Sequence, residues 1–321
     1  MYRKLLLLIA LLGATSLAYA QGWPTAKPIR VVVAYPPGGV SDGVGRALAE
    51  RLAIQLSTPV LVENKAGASG SVGLDAVAKA APDGYTLGFA STSPLTLNPH
   101  LQHSAFAPLK DITPVARVMV SPVLLLATTA TKASSLAELL AAARTKPGAV
   151  RWATSGMASL GHIMQAQLSA AAMVEFTHIP YKGGGQQITD GLGGQYEVLS
   201  VNVDSAVLQH IKAGKLRALA VGAPLRLEAL PQVPTLAELG FESANLMSVF
   251  GVYAPAGLPA ATLERLHAEI NKALASPVLR DRLSVSENVS APASQAEFVR
   301  QIAVDFTNNG RLIKAASIKA E

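Results

Sequence analysis

Residues 29–56 set a pattern that the chain repeats. A short β-branched apolar run, Val31-Val32-Val33-Ala34-Tyr35, leads into Pro36-Pro37-Gly38-Gly39-Val40-Ser41-Asp42, after which Val44, Ala47, Leu48, Leu52 and Leu56 recur at helical spacing. The run predicts a buried strand and the spacing an amphipathic helix. Pro36 and Pro37 stop the strand, Gly38 and Gly39 open backbone angles closed to other residues, and Ser41 or Asp42 is placed to cap the helix. The unit is strand, loop, helix, with unpaired N–H groups and the positive end of a helix dipole gathered above the strand end. Two readings stand side by side: a tight turn without a ligand, or an anion site.

The same pattern recurs. Val60-Leu61-Val62 predicts a second strand, followed by a loop at 63–70 and a helix at 71–80; residues 85–90 predict a third, ending in Ser91-Thr92-Ser93-Pro94. A second α/β block follows, with strands at 123–128, 151–154, 176–179, 198–203 and 216–221 and helices after Ser134-Ser135, Ser159 and Gly185. Residues 224–240 read as a mixed linker, 248–254 as an apolar strand, and 260–274, 277–283 and 294–313 as helices. Alternating strands and helices imply a parallel sheet, where ligands bind outside the carboxyl ends of the strands, and two such blocks imply a cleft between them.

Composition narrows the function. The chain has 321 residues, half of them apolar, enough for two cores. Arg3 and Lys4 precede the apolar run 5–12, and Ala18-Tyr19-Ala20 fits a secretory cleavage site, so an exported, periplasmic protein beginning near Gln21 is expected. With no cysteine there is no disulfide, thiolate nucleophile or lipid-modified cysteine. The 27 basic residues include two in the expected leader, leaving 25 against 21 acidic and a mature charge of about +4. The cations are scattered and aromatics make up 5 %, which argues against nucleic acid and suits small anions. His100, His103, His178, His210 and His267 show no paired helical spacing, so no metal is expected, and no cofactor.

The motifs together resemble a known family. VVVAYPPGGVSD at 31–42, VENKAGASGSVG at 62–73, APDGYTL at 81–87, TSGMASLGH at 154–162, PYKGGGQ at 180–186, IKAGKLRALAV at 211–221, VPTLAELG at 233–240 and APAGLP at 254–259 are similar, in order, to the solute-binding proteins of tripartite tricarboxylate transporters, the Bug-type receptors. The resemblance covers nearly the whole mature chain. It implies an α/β, type II-like two-domain periplasmic binding fold with the ligand cleft between domains, no catalysis, and delivery of a small carboxylated solute to a membrane permease. In those terms residues 21–125 plus 248–321 form one domain and 126–247 the other, with hinges near Leu125 and Ser248. One ligand carboxylate would be held through backbone groups and waters at the first-domain loops. Residues 197–202 and 247–249 depart from the family pattern, which leaves the solute open.

The expected contacts are Pro37, Gly38, Gly39 and Ser41 on the first loop, Gly67, Ala68 and Ser69 on the second, and Ser91 and Thr92 on the third. The second domain adds Ser155, Gly156 and Ser159, then Tyr181 and Lys182 as an anion clamp, and Asn202. Each has a plain alternative as a turn, cap or solvated side chain. Asp42 would repel an anion and is read as a helix cap, and His162 as a core histidine bonded to backbone. A serine hydrolase built on Ser155 or Ser159 is disfavoured, because TSGMAS lacks the Gly-x-Ser-x-Gly elbow. A monomeric transport receptor is the leading expectation; a sensor presenting its closed form to a membrane kinase is the alternative.

Overall fold

Ile29–Val33 forms β1, the first strand of the chain's first lobe. In the computed structural model, which describes residues 22–315 and 318, β1 runs parallel to β2 (Val60–Asn64) on one side and β3 (Thr86–Ser91) on the other. The expected signal segment at 1–20 lies outside the described residues. Ile29, Val31 and Val33 pack with Val44, Leu48, Leu52 and Leu56 of α1 (Val40–Leu56), while Val32 packs with Leu74 and Val77 of α2 (Ser71–Ala78). Burial on both faces is why β1 reads as an unbroken apolar run rather than an alternating one. The polar stretch after β3 is not a simple turn: it winds into two single-turn helices, α3 (Ser93–Thr96) and α4 (Asn98–Leu101).

The strand that joins the lobes is longer than its apolar pattern suggests. β4 spans sixteen residues, Ile112–Ala127, where the sequence marks a strand only from Val123, because Pro114, Arg117 and Pro122 interrupt the part before it. The second lobe then follows as α5 (Leu136–Thr145), β5 (Arg151–Thr154), α6 (Leu160–Ala172), β6 (Thr177–Pro180), α7 (Gly184–Leu192), β7 (Val198–Asn202), α8 (Ser205–Lys212) and β8 (Arg217–Gly222). β9 (Met247–Pro255) carries the chain back, and α9 (Ala260–Leu274), α10 (Pro277–Val285), β10 (Val289–Ser290) and α11 (Gln295–Ala315) complete the first lobe.

The sheet order is β2-β1-β3-β9-β4-β7-β5-β6, with β8 and β10 also paired to β4. Residues 112–122 of β4 pair antiparallel with β9, and residues 123–127 pair antiparallel with β7 and β8. The expectation of a parallel sheet is therefore corrected to a mixed one. The reason is connectivity: β4 leaves the first lobe and β9 returns to it, so the two must run in opposite directions. The segment at 224–240 is likewise no linker, since Leu227, Leu230, Val233 and Leu236 are buried and Thr235 bridges to Val221.

Each lobe has its own core. One gathers Phe89, Phe250, Phe298 and the β1 valines, the other Trp152, Leu168, Leu199 and Tyr196. A fifth apolar cluster crosses between them, joining Leu97, Leu101 and Ile313 to Ala158 and Ile163.

Candidate functional site

The loop between β1 and α1 is shaped by one glycine and one carboxylate. Gly38 takes a φ of +88°, a left-handed angle that favours glycine, whereas Gly39 has an ordinary φ of −91° and open space where a Cβ would sit. Gly39 is the N-cap of α1, and no side chain caps it. The expectation that Ser41 or Asp42 caps the helix is corrected here. Both lie inside the first turn, and the Asp42 carboxylate instead receives the Gly38 N–H at 3.2 Å, Asn64 Nδ2 at 2.9 Å and Arg46 Nε at 3.0 Å. Burial pushes Asp42 up, but the bonds from Arg46, Asn64 and Gly38 outweigh it and hold the carboxyl below the usual aspartate range. Asp42 thus braces the loop, and the first N–H groups of α1 remain without a side-chain partner.

Above the sheet, the two lobes line a cavity of about 50 Å³, room for about three to five waters at ~10–15 Å³ each. Gly39, Val40 and Ser41 at the start of α1, Ser159, Leu160 and Gly161 at the start of α6, and Gly184 at the start of α7 all line it. Three helix N-termini from two lobes therefore share one small volume. Tyr35 and Phe250 supply aromatic wall, ring centroids 6.2 Å apart, with Phe250 stacked on Phe89. Hydroxyls line much of the remainder: Ser69, Ser91, Ser93, Ser155, Ser200 and Ser248. Among the described residues no lysine or arginine lines the cavity, and the titratable groups that do are Tyr35 and Asp204.

Of the expected contacts, Gly39, Ser41, Ser69, Ser91, Ser155, Ser159 and Asn202 meet at this cavity. Pro37, Gly38, Gly67, Ala68, Thr92, Gly156, Tyr181 and Lys182 do not line it. Their own partners explain several of these positions. Tyr181 donates its phenol O–H to Asp190 at 2.8 Å, and Lys182 is exposed to solvent, so the pair forms no clamp over the cavity. Gly156 uses its N–H on Thr154 Oγ1 and sits against Ser69, where a Cβ would come within 2.6 Å of the hydroxyl. The cavity residues that sequence reasoning missed include Tyr35, Gly161, Gly184, Asp204, Ser248 and Phe250.

Hydrogen bonds fix many of the hydroxyls. Tyr35 O–H and Ser91 Oγ are 2.6 Å apart, and burial pushes the Tyr35 phenol up despite those bonds, keeping it neutral. Ser159 accepts from the His162 N–H, and Ser200 accepts from Trp152 Nε1 at 3.0 Å. Asn202 donates to the carbonyls of Ser121 and Pro122 and accepts from Ser248, tying β7 to the strands that cross between lobes. Asp204 caps α8, accepting from the Val207 N–H at 2.8 Å, and burial raises its pKa. His162 meets its expectation as a backbone-bonded core residue: its Nδ1 accepts from the Ala158 N–H, and its ring stacks on His178 at 4.2 Å. Burial lowers both imidazoles, His162 to about 4 and His178 to about 3, with His162 adding to the fall in His178.

Comparison with known proteins gives this geometry a lineage. The family described as "Tripartite tricarboxylate transporter family receptor" matches residues 44–318. The chain belongs to that receptor family. BugT of Bordetella pertussis is 38 % identical over 84 % of this chain and 82 % of its own length. The periplasmic binding protein BugD superposes with a TM-score of 0.86 at 27 % identity, covering 92 % of this chain and 99 % of BugD. MatC of Rhodopseudomonas palustris, solved with malate, gives 0.84 at 26 % identity over 90 % and 99 % of the two chains. A second R. palustris protein, solved with adipate, gives 0.87 at 27 % over 93 % and 99 %. The fold expected from the resemblance, a two-domain periplasmic binding fold, is the fold found. Among the described residues no helix is long and apolar enough to cross a membrane, and no group of three or more His, Cys, Asp or Glu side chains is placed to hold a metal ion.

Proposed function

We propose that the chain is a periplasmic receptor of a tripartite tricarboxylate-type transporter, closing its lobes on a small carboxylated solute and delivering it to a membrane permease. The convergence of the α1, α6 and α7 N-termini on one cavity that, among the described residues, no lysine or arginine lines carries this reading. Backbone N–H groups with aligned dipoles hold carboxylates well, each helix start contributing about 0.3–1 kcal/mol at a surface and up to ~2 in a partly buried site. Charge-assisted hydrogen bonds add about 1.5–3 kcal/mol each, against about 8 kcal/mol for micromolar binding. The malate and adipate held by the two R. palustris neighbours support the same ligand class.

The exchange of β4 partners after Pro122, and the start of β9 at Met247, support hinges at those two crossings, with residues 22–122 and 248–315 moving against 123–247. On this reading the first boundary falls three residues before the expected 125. Thermal-shift measurement and calorimetry with mono-, di- and tricarboxylates test the proposal, together with solute uptake in a strain lacking the gene. Stabilisation by at least one acid and loss of its uptake are expected. Stabilisation by no carboxylate would overturn the ligand class, and unchanged uptake would overturn the transport role.

A further inference from the structure

Among the described residues, six that are not glycine take a positive φ, and they divide by place. Ser57, Met173 and Glu287 stand at the ends of α1, α6 and α10, where a left-handed residue is the usual stop. Ala68 (φ +43°), Ser69 (φ +51°) and Ala158 (φ +56°) terminate no helix, and all three lie where the lobes meet. Ser69 Oγ donates to the carbonyl of Met157, the residue before Ala158, and Ala158 is fully buried against Leu97, Leu101 and Ile313 of the other lobe. With Gly67 at +141° and Gly70 at +99°, every residue from 67 to 70 has a positive φ. A left-handed alanine or serine costs free energy that glycine would not, and such angles persist only where the surroundings impose them. Asn98 shows the same constraint: its Nδ2 donates to the Ala68 carbonyl at 2.7 Å, while its buried Oδ1 has no partner among the described residues.

We infer that the seam acts as a spring: closing the lobes drives residues 68, 69 and 158 into left-handed backbone, and parting them lets it relax. The closed form then carries a cost that bound solute must offset, and that cost is returned as the lobes separate, which speeds release. This rests on the reading of a receptor that closes on a carboxylate, and adds to it a means of letting the carboxylate go. The Ser69 bond to Met157 and the burial of Ala158 are the contacts that hold the strained backbone in place.

The test compares Ala68→Gly, which removes the backbone cost at an exposed position, with Ala68→Val, which raises it. Met173→Gly, at the exposed end of α6, relieves a similar angle within one lobe and serves as the control. Each is followed by calorimetry and stopped-flow dissociation with mono-, di- and tricarboxylates, malate and adipate among them, and by a thermal melt without ligand. Ala68→Gly is expected to bind the best of these acids about fivefold tighter, with a slower off-rate and no rise in the ligand-free melting temperature. Ala68→Val is expected to bind it about fivefold or more weakly, with the ligand-free melt unchanged. Met173→Gly should raise the ligand-free melting temperature and leave affinity alone. Unaltered or weaker binding by Ala68→Gly overturns the inference alone, and a ligand-free melting temperature that rises in that variant as it does in Met173→Gly shows the loop left-handed in both forms and overturns it too. Binding of no carboxylate by the wild type overturns the receptor reading with it.

Discussion

The hydroxyl of Ser69, on the loop after β2, donates to the carbonyl oxygen of Met157, on the loop after β5, a hydrogen bond between the loops of the two lobes. Ser69 is 2 % exposed, and the bond forms only when the lobes meet. Ser69→Ala removes it and leaves a carbonyl unpaired, at a cost of about 1–2 kcal/mol to the closed form. The expected outcome is roughly five- to thirtyfold weaker solute binding, carried by a faster off-rate, with an unchanged melting temperature in the absence of ligand. Stopped-flow dissociation rates check this; an unaltered off-rate would show that the contact does not hold closure.

Gly183 faces Pro36 across the same seam. Its φ is +155°, and a Cβ there would collide with the Pro36 ring. Gly183→Ala is therefore expected to hold the lobes apart, weakening solute binding at least a hundredfold while both cores stay folded. Small-angle scattering at saturating solute reads this directly: the wild type contracts, and the variant keeps its ligand-free dimensions.

Asp42 makes stability pH-dependent with a definite sign. Its folded pKa is depressed by Arg46, Asn64 and Gly38 against the opposing effect of burial, so the stabilisation is present above the unfolded value near 3.9 and is lost as pH falls through the folded value. Asp42→Asn is expected to destabilise the protein by about 1–3 kcal/mol at pH 7. The gap between variant and wild type narrows below pH ~4, once the wild-type carboxyl is itself protonated. Urea unfolding of both proteins at pH 7 and pH 3 decides it, and a constant gap across that range would count against the account.

The stacked pair His162 and His178 acts in the same direction with pH as Asp42, through burial of the neutral form, and over a higher window. Both folded values, about 4 and about 3, lie below the ordinary histidine value near 6.5, so the unfolded chain takes up more protons as pH falls. Stability from this pair is complete above pH ~6.5 and declines progressively down to about pH 3–4, by several kcal/mol in all. His178→Gln is expected to flatten the melting-temperature profile between pH 6.5 and 4. A profile as steep as the wild type's would place the acid sensitivity elsewhere.

Much of the site was legible because loops after parallel strands share one edge. Gly39, Ser41, Ser69, Ser155 and Ser159 follow β1, β2 and β5 directly, and the fold brings them together as that rule requires. Ser248 and Phe250 were not legible: they reach the cavity from β9, whose antiparallel place between β3 and β4 depends on long-range pairing. Tyr181 shows the converse failure, since glycines beside it mark a loop but say nothing of which way its ring turns, and it turns to Asp190. Asp204 did carry a signal, an Asp-Ser pair between a buried strand and a helical run, the same arrangement that drew attention to the earlier loops. The part of β4 before Val123 was hidden by its own prolines, Pro114 and Pro122, and with it the continuous strand that links the lobes.

In the proposed grip the main-chain N–H groups of three helix starts hold the carboxylate, and no single side chain encodes it. Point substitutions around the cavity can then change what hangs from the carboxylate without costing the grip itself. A duplicated copy of such a gene begins its separate history already able to hold an organic acid, and its divergence is a matter of choosing among acids.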